Sequence, residues 1–180
     1  MIPILWYDDT EVRFYILSIV KMQNLFSIFN KCRVTFEAEN GEMRTDEFSN
    51  MTCTAGRAEI ARRIIDNVTT DLWVAKFIAV WDNSTPATEA DTHLTNEVRR
   101  AELKYDLSSR IDNVVKVYAR FERWYTLDVH EAGLFIWPDA TAINGTGSLL
   151  AHSVFSTPLE KAIQEIMTIE RTINVNNSTI

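Results

Sequence analysis

The chain has 180 residues, 46% of them hydrophobic and 24% charged, with a net charge of −7 and a pI near 5.0. This is the length of one ordinary domain with apolar surface enough for one core, and the composition excludes a disordered chain. The acidic balance excludes a conventional nucleic-acid binder with a basic face or tail, and leaves room only for RNA held at a few arginines inside a polymer.

In chain order, Met1–Tyr7 runs into Asp8, Asp9 and Glu11, the wrong charge for the start of a secretory signal. Val12–Phe29 has the length of a membrane span, but Arg13, Lys21, Gln23 and Asn24 interrupt it, so a buried core helix over 10–30 is expected. The block 33–47 reads as two short strands around Asn40-Gly41, a dipeptide that suits a type I′ turn because both central residues need positive φ. Ala58, Ala61, Ile64, Ile65, Val68, Leu72 and Phe77 predict one or two helices over 55–81. Asp82–Thr88 is a turn-rich loop that Pro86 keeps out of helix.

The stripe Leu94, Val98, Ala101, Tyr105, Ile111, Val115 and Tyr118 predicts the longest helix, over 91–123. Gly133–Pro138 has the look of a short buried strand stopped by proline, and Ile143–Gly147 of a loop. A last helix is expected over 157–172. Thr157-Pro-Leu-Glu160 gives it a capping box with proline at the first helical position, and Leu159, Ile163, Ile166 and Met167 supply its apolar face. The fold expected is mainly α: a single four-helix-bundle-like domain over 1–180, with a small β-hairpin and an extra C-terminal helix.

Chemistry is sparse. None of the five glycines forms a phosphate cradle, and His93, His130 and His152 fit no metal-binding spacing, although their convergence in space stays open. Cys32 and Cys53 match neither a zinc site nor a disulfide framework and read as a reduced pair. No catalytic centre, metal or cofactor is expected. Glu89, Asp91 and Glu97 crowd into one segment. In a monomer they would be solvated, whereas across a subunit interface they would repel at neutral pH and tolerate contact when protonated. Arg62-Arg63 and Arg99-Arg100 offer planar donors, to salt bridges or to phosphate.

Several segments share their order with a known group. Ser84–Asp91 resembles a Thr/Pro loop, Arg99-Arg100-Ala-Glu102 an Arg-Arg-x-Asp helix start, Arg110-Ile-Asp-Asn-Val-Val its continuation, and Val117–Arg123 an Arg/Phe-Glu signature. Gly133-Leu-Phe-Ile-Trp-Pro-Asp-Ala140 is similar to a Gly-Leu-x-Trp ending. Together they resemble the coat proteins of rod-shaped RNA viruses of the tobacco mosaic type, over about Trp81–Ala140. The resemblance implies a four-helix bundle that self-assembles into a helical rod around single-stranded RNA, within the virion and in the host cytoplasm during assembly. It implies phosphate contacts at Arg99 and Arg100, with Glu102 as acidic partner and Arg110 further along the RNA-proximal helix. It also implies an assembly switch at Glu89, Asp91 and Glu97. The chain departs from the group at Asp82 and Asn83, where arginines are usual, and in the block 157–172. The competing reading is a small acidic helical binding or immunity-type module acting on a protein partner; an enzyme whose site joins two histidines to carboxylates is a third.

Overall fold

The computed structural model describes residues 26–58, 75–82, 86–93, 96–136 and 140–177. Within them lie nine strands: β1 (Phe26–Glu37), β2 (Met43–Thr52), β3 (Ala75–Trp81), β4 (Glu97–Glu102), β5 (Ser109–Ile111), β6 (Val114–Phe121), β7 (Leu127–Ile136), β8 (Ser148–Lys161) and β9 (Ile166–Asn177). They form one antiparallel sheet in the order β4-β3-β7-β8-β2-β1-β9-β6-β5. The sheet curls until β2-β1-β9-β6-β5 faces β4-β3-β7-β8. The two walls meet where Met51 and Thr52 pair with His152 and Ala151, and where Leu103 bridges Ala119.

Alternation explains the first wall. Cys32, Val34 and Phe36 of β1 point inward between exposed or half-exposed neighbours, and Val117, Ala119 and Phe121 of β6 do the same. The second wall is covered on both sides, which turns its strands into near-continuous apolar runs. Ile78, Val80, Leu134 and Ile136 face the main core. Phe77, Ala79, Trp81 and Phe135 face outward, under Cys53, Ala140 and Leu149. The outward Trp81 and Phe135 rings stack with centroids 6.3 Å apart.

The helical bundle is therefore corrected to a β architecture. Among the described residues the only helix is a single turn over 54–58, and none is long and apolar enough to cross a membrane. The helix expected over 10–30 lies outside the described residues except for 26–30, which are strand, and most of the block 55–81 lies outside them too, its end being β3. The block 91–123 holds β4, β5 and β6. Its break is Asp112-Asn113, a tight turn between Ile111 and Val114 with Asp112 at φ 51°. The block 157–172 holds the end of β8 and most of β9. Its capping box falls where β8 carries Phe155–Pro158 opposite the single residue His130, a bulge that tolerates the proline.

The hairpin at 33–47 is present and longer than expected, with Phe36 opposite Arg44 and Glu37 opposite Met43. Its turn differs from the expected type I′. Gly41 alone has positive φ (81°), and the Ala38 N–H donates to the Glu42 carbonyl at 2.9 Å around a three-residue loop. Of the buried strand expected at Gly133–Pro138, Gly133–Ile136 is the end of β7, and Trp137 and Pro138 lie outside the described residues.

The loop before β8 is packed down tightly. Gly147 has φ 88°, and a methyl group there would sit 2.5 Å from the Ala140 Cβ. Gly147→Ala should lower stability by about 2–4 kcal/mol, joining a left-handed backbone penalty to overpacking; thermal unfolding of the two proteins side by side checks this.

Candidate functional site

β4 places Arg99 and Arg100 on opposite faces of the sheet, as alternation requires, so the two do not form one phosphate clamp. The Arg100 guanidinium is buried. Its Nε and Nη2 donate to the two carboxylate oxygens of Glu97 at 2.5 and 2.6 Å. Its Nη1 donates to the carbonyls of Thr141 and Thr146, and the group lies 4.9 Å from the Phe135 ring centroid. Glu97 also accepts the Gly145 N–H. This bidentate pair ties the 140–147 loop to the outer face of β3 and β7. Arg99 instead stacks over the Tyr125 ring at 3.9 Å. Glu102 is exposed on β4, and Arg110 is exposed on β5.

The carboxylates expected to repel between subunits each have a partner inside this subunit. Glu89 accepts from Arg57 at 2.5 Å, a contact that lowers its pKa. Glu97 is held by Arg100. Asp91 accepts from the Thr88 hydroxyl and N–H at 2.6 and 2.8 Å and sits 2.8 Å from Nδ1 of His152. Burial works against the charge on Asp91, but the Thr88 bonds and the His152 contact outweigh it and hold the carboxyl below its usual range.

Among the described residues, His152 comes nearest to a catalytic arrangement. Its ring is buried in β8, with Nδ1 on Asp91 and Nε2 3.1 Å from Glu131 of β7. A neutral imidazole carries one N–H, so two carboxylates on its two nitrogens require one further proton among the three groups. The arrangement clamps the 88–91 turn onto β7 and β8, and both ring nitrogens are occupied in doing so. The buried Cys53 thiol is pushed up to about 11, by burial first and then by the Asp91 charge, so it is not a nucleophile at neutral pH. His130 lies against Asp128 at 3.3 Å and His93 against Thr92 at 2.9 Å, so the three histidines do not converge. No group of three or more His, Cys, Asp or Glu side chains among the described residues is arranged to hold a metal ion. Arg62 and Arg63 lie outside the described residues.

Exposed apolar side chains cluster at the two ends of the curled sheet, while Ile143, 70% exposed, stands apart in the 140–147 loop. At one end β1 begins and β9 finishes, since Phe26 pairs with Asn177, and β5 stands beside them with Tyr105, Leu107 and Ile111 half or more exposed. At the other end the turns β1–β2, β6–β7 and β8–β9 are neighbours, because Glu37 pairs with Ile166 and Phe121 with Met167. There Trp124 is 84% exposed and Ile163 49%. Sequence reading passed over Trp124 because its run was assigned to a helix ending at 123. The signal was Glu122–Tyr125 lying between two alternating runs. Comparison with known families, curated proteins and solved structures gives no match.

Two outcomes follow from the paired carboxylates. Glu97→Gln strips a buried guanidinium of its counter-charge and should cost about 3–5 kcal/mol, while Glu89→Gln, at an exposed pair, should change little; urea unfolding separates the two. Asp91 has a folded-state pKa below its ordinary 3.8, so its stabilisation is present above that value and lost as pH falls through the lower folded one. Glu170, held low by Thr172, Lys116 and Tyr118 against the opposing effect of burial, loses its contribution in acid from below its ordinary 4.5. Asp91→Asn should therefore be less stable at neutral pH and lose stability less steeply in acid, read from melting temperatures between pH 6 and pH 2.

Proposed function

We propose that this chain is a non-enzymatic structural subunit that assembles with copies of itself through the end of the sheet at β5. One observation carries the reading. β5 is a terminal strand of the sheet, only β6 pairs with it among the described residues, and Ile111 on it is 71% exposed beside Leu107 at 54%. At three residues β5 offers little backbone for pairing, so the exposed apolar side chains of Leu107 and Ile111 beside this edge are what would draw another chain.

The engaged state of the charged groups supports a role without catalysis. His152, Asp91, Glu97 and Arg100 are all occupied in fastening loops to the sheet, and such contacts serve architecture. Assembly of copies is the part of the coat-protein expectation that this surface favours. A joint RNA contact through Arg99 and Arg100 draws no support, with one guanidinium buried on Glu97 and the other stacked on Tyr125.

Sedimentation velocity over a concentration series tests the reading. Association that grows with concentration and is lost in Leu107→Asp/Ile111→Asp, with the double variant still folded by circular dichroism, is the expected result. A chain that stays monomeric at the highest concentration, or a double variant that associates as well as the parent, would sink it.

A further inference from the structure

The end opposite β5 carries a second, independent surface. Trp124 stands in the β6–β7 turn at φ 84°, a backbone conformation that costs a bulky residue energy. It is fixed there by its N–H, which donates to the Ile163 carbonyl at 2.8 Å. A large aromatic ring thus projects into solvent from a pinned backbone, next to the exposed Ile163, and offers apolar area at little ordering cost on binding.

Beside this ridge opens a shallow cleft of about 460 Å³, lined by Arg44, Asp128, Glu160, Lys161 and Glu165 among others. Its two cations are already committed. Arg44 donates to the Glu160 carbonyl and to Glu165 and lies over the Phe36 ring. Lys161 is buried, with Nζ donating to the carbonyls of Tyr125 and Ala162 at 2.9 and 3.2 Å. Arg123 is drawn away to the Gln164 carbonyl, Arg99 lies on Tyr125, and Arg120 faces Glu122. The carboxylates are less engaged: Glu160 is exposed, and Asp128 meets only His130, at 3.3 Å, among its described contacts. Glu37, Glu39 and Glu42 of the neighbouring β1–β2 turn are exposed as well. Each cation keeps its charge while its donors are used, so the groups around the ridge and cleft are five cations against seven carboxylates, a small negative excess that lies with Asp128, Glu160 and the β1–β2 turn.

We propose that this end is a docking surface for an arginine- or lysine-bearing segment of another protein. A cationic side chain enters the cleft toward Asp128 and Glu160, while Trp124 and Ile163 cover the apolar part of the segment and the indole face receives a further guanidinium. An acidic or neutral partner gains nothing from the cleft. A second copy of this chain, itself acidic, is a poor match for it.

The test uses the full chain and two fluorescein-labelled synthetic peptides of equal length, one alternating arginine with leucine and one alternating glutamate with leucine, in fluorescence anisotropy at low and high salt. The arginine peptide should bind at least about tenfold more tightly than the glutamate peptide, and Trp124→Ala should weaken it by about tenfold, the scale of one hot-spot truncation. Asp128→Asn/Glu160→Gln should weaken binding and flatten its salt dependence, whereas Glu102→Gln, away from the cleft, should leave it as it is. Because Trp124 is mostly exposed, an unchanged melting temperature confirms that its variant folds. Equal affinity of Trp124→Ala and parent would overturn the proposal. So would loss of self-association in Trp124→Ala during sedimentation, which would assign the surface to a second copy.

Discussion

The two walls of the curled sheet share few backbone bonds, and the side chain that ties them through the core is Arg171. It projects from β9 across the interior and is fully buried. Nη1 donates to the Ser153 hydroxyl of β8 at 2.5 Å and Nη2 to the Ala132 carbonyl of β7, also at 2.5 Å. Burial pulls the guanidinium below its ordinary pKa, and the neighbouring Cys32 thiol is itself raised by burial. A cation in such a place is costly, and with Nε left without a partner the two bonds from Nη1 and Nη2 to the facing wall are a condition of closure. Register follows from this. A one-residue slip of β9 would turn Arg171 outward and bring Glu170 or Thr172 into the core.

Closure in turn determines what charge can do elsewhere. Once the second wall is covered on both faces, the loops over its outer side need anchors, and polar groups buried beneath them need partners. Glu97 with Arg100 and Asp91 with His152 meet both demands. An ion pair of two buried side chains is weak evidence for function when each partner is explained by the other. It is the groups left over, at the two ends of the sheet, that have no architectural duty to account for them.

The sequence made some of this legible. The Asn40-Gly41 hairpin and the buried strand at Gly133–Ile136 stood out because their signals are local: a turn dipeptide in one case, an apolar run before proline in the other. The bundle misled because the same apolar residues satisfy two periods. Val115 and Tyr118 fit a helical stripe, yet the neighbouring Val114 and Val117 are β-branched and Val115, Val117, Ala119 and Phe121 alternate cleanly, which is the strand signal. Asp112-Asn113 falls inside the stretch expected to be one helix, 91–123, and is the turn of a hairpin. Continuous runs such as Phe77–Trp81 carry no period at all when both faces are covered, so only pairing partners more than ten residues away could decide them. Of the site, Glu89, Asp91 and Glu97 were named as repelling carboxylates and Arg100 as a phosphate contact, and the structure shows each of them in an ion pair within the chain. The partners of Glu89 and Asp91 were not legible, because Arg57 and His152 are brought to them by the fold and not by sequence spacing, whereas Glu97 and Arg100 stand three residues apart.

The two ends are unlike in a way that makes a division of labour economical. The β5 end holds the start of β1 and the finish of β9, so contacts made there are constrained by whatever the chain does before and after the sheet. The Trp124 end is formed by turns alone, and turns tolerate change without disturbing the ladder between strands. In the arrangement we propose, self-assembly at an edge strand and recognition at the turns would separate a contact that must be geometrically repeatable from one that must fit a particular partner. Strain at Trp124 agrees with this arrangement. A positive φ in a tryptophan is tolerated only where neighbouring bonds over-determine the backbone, and the bond to Ile163 does so at the point where the ring is most exposed.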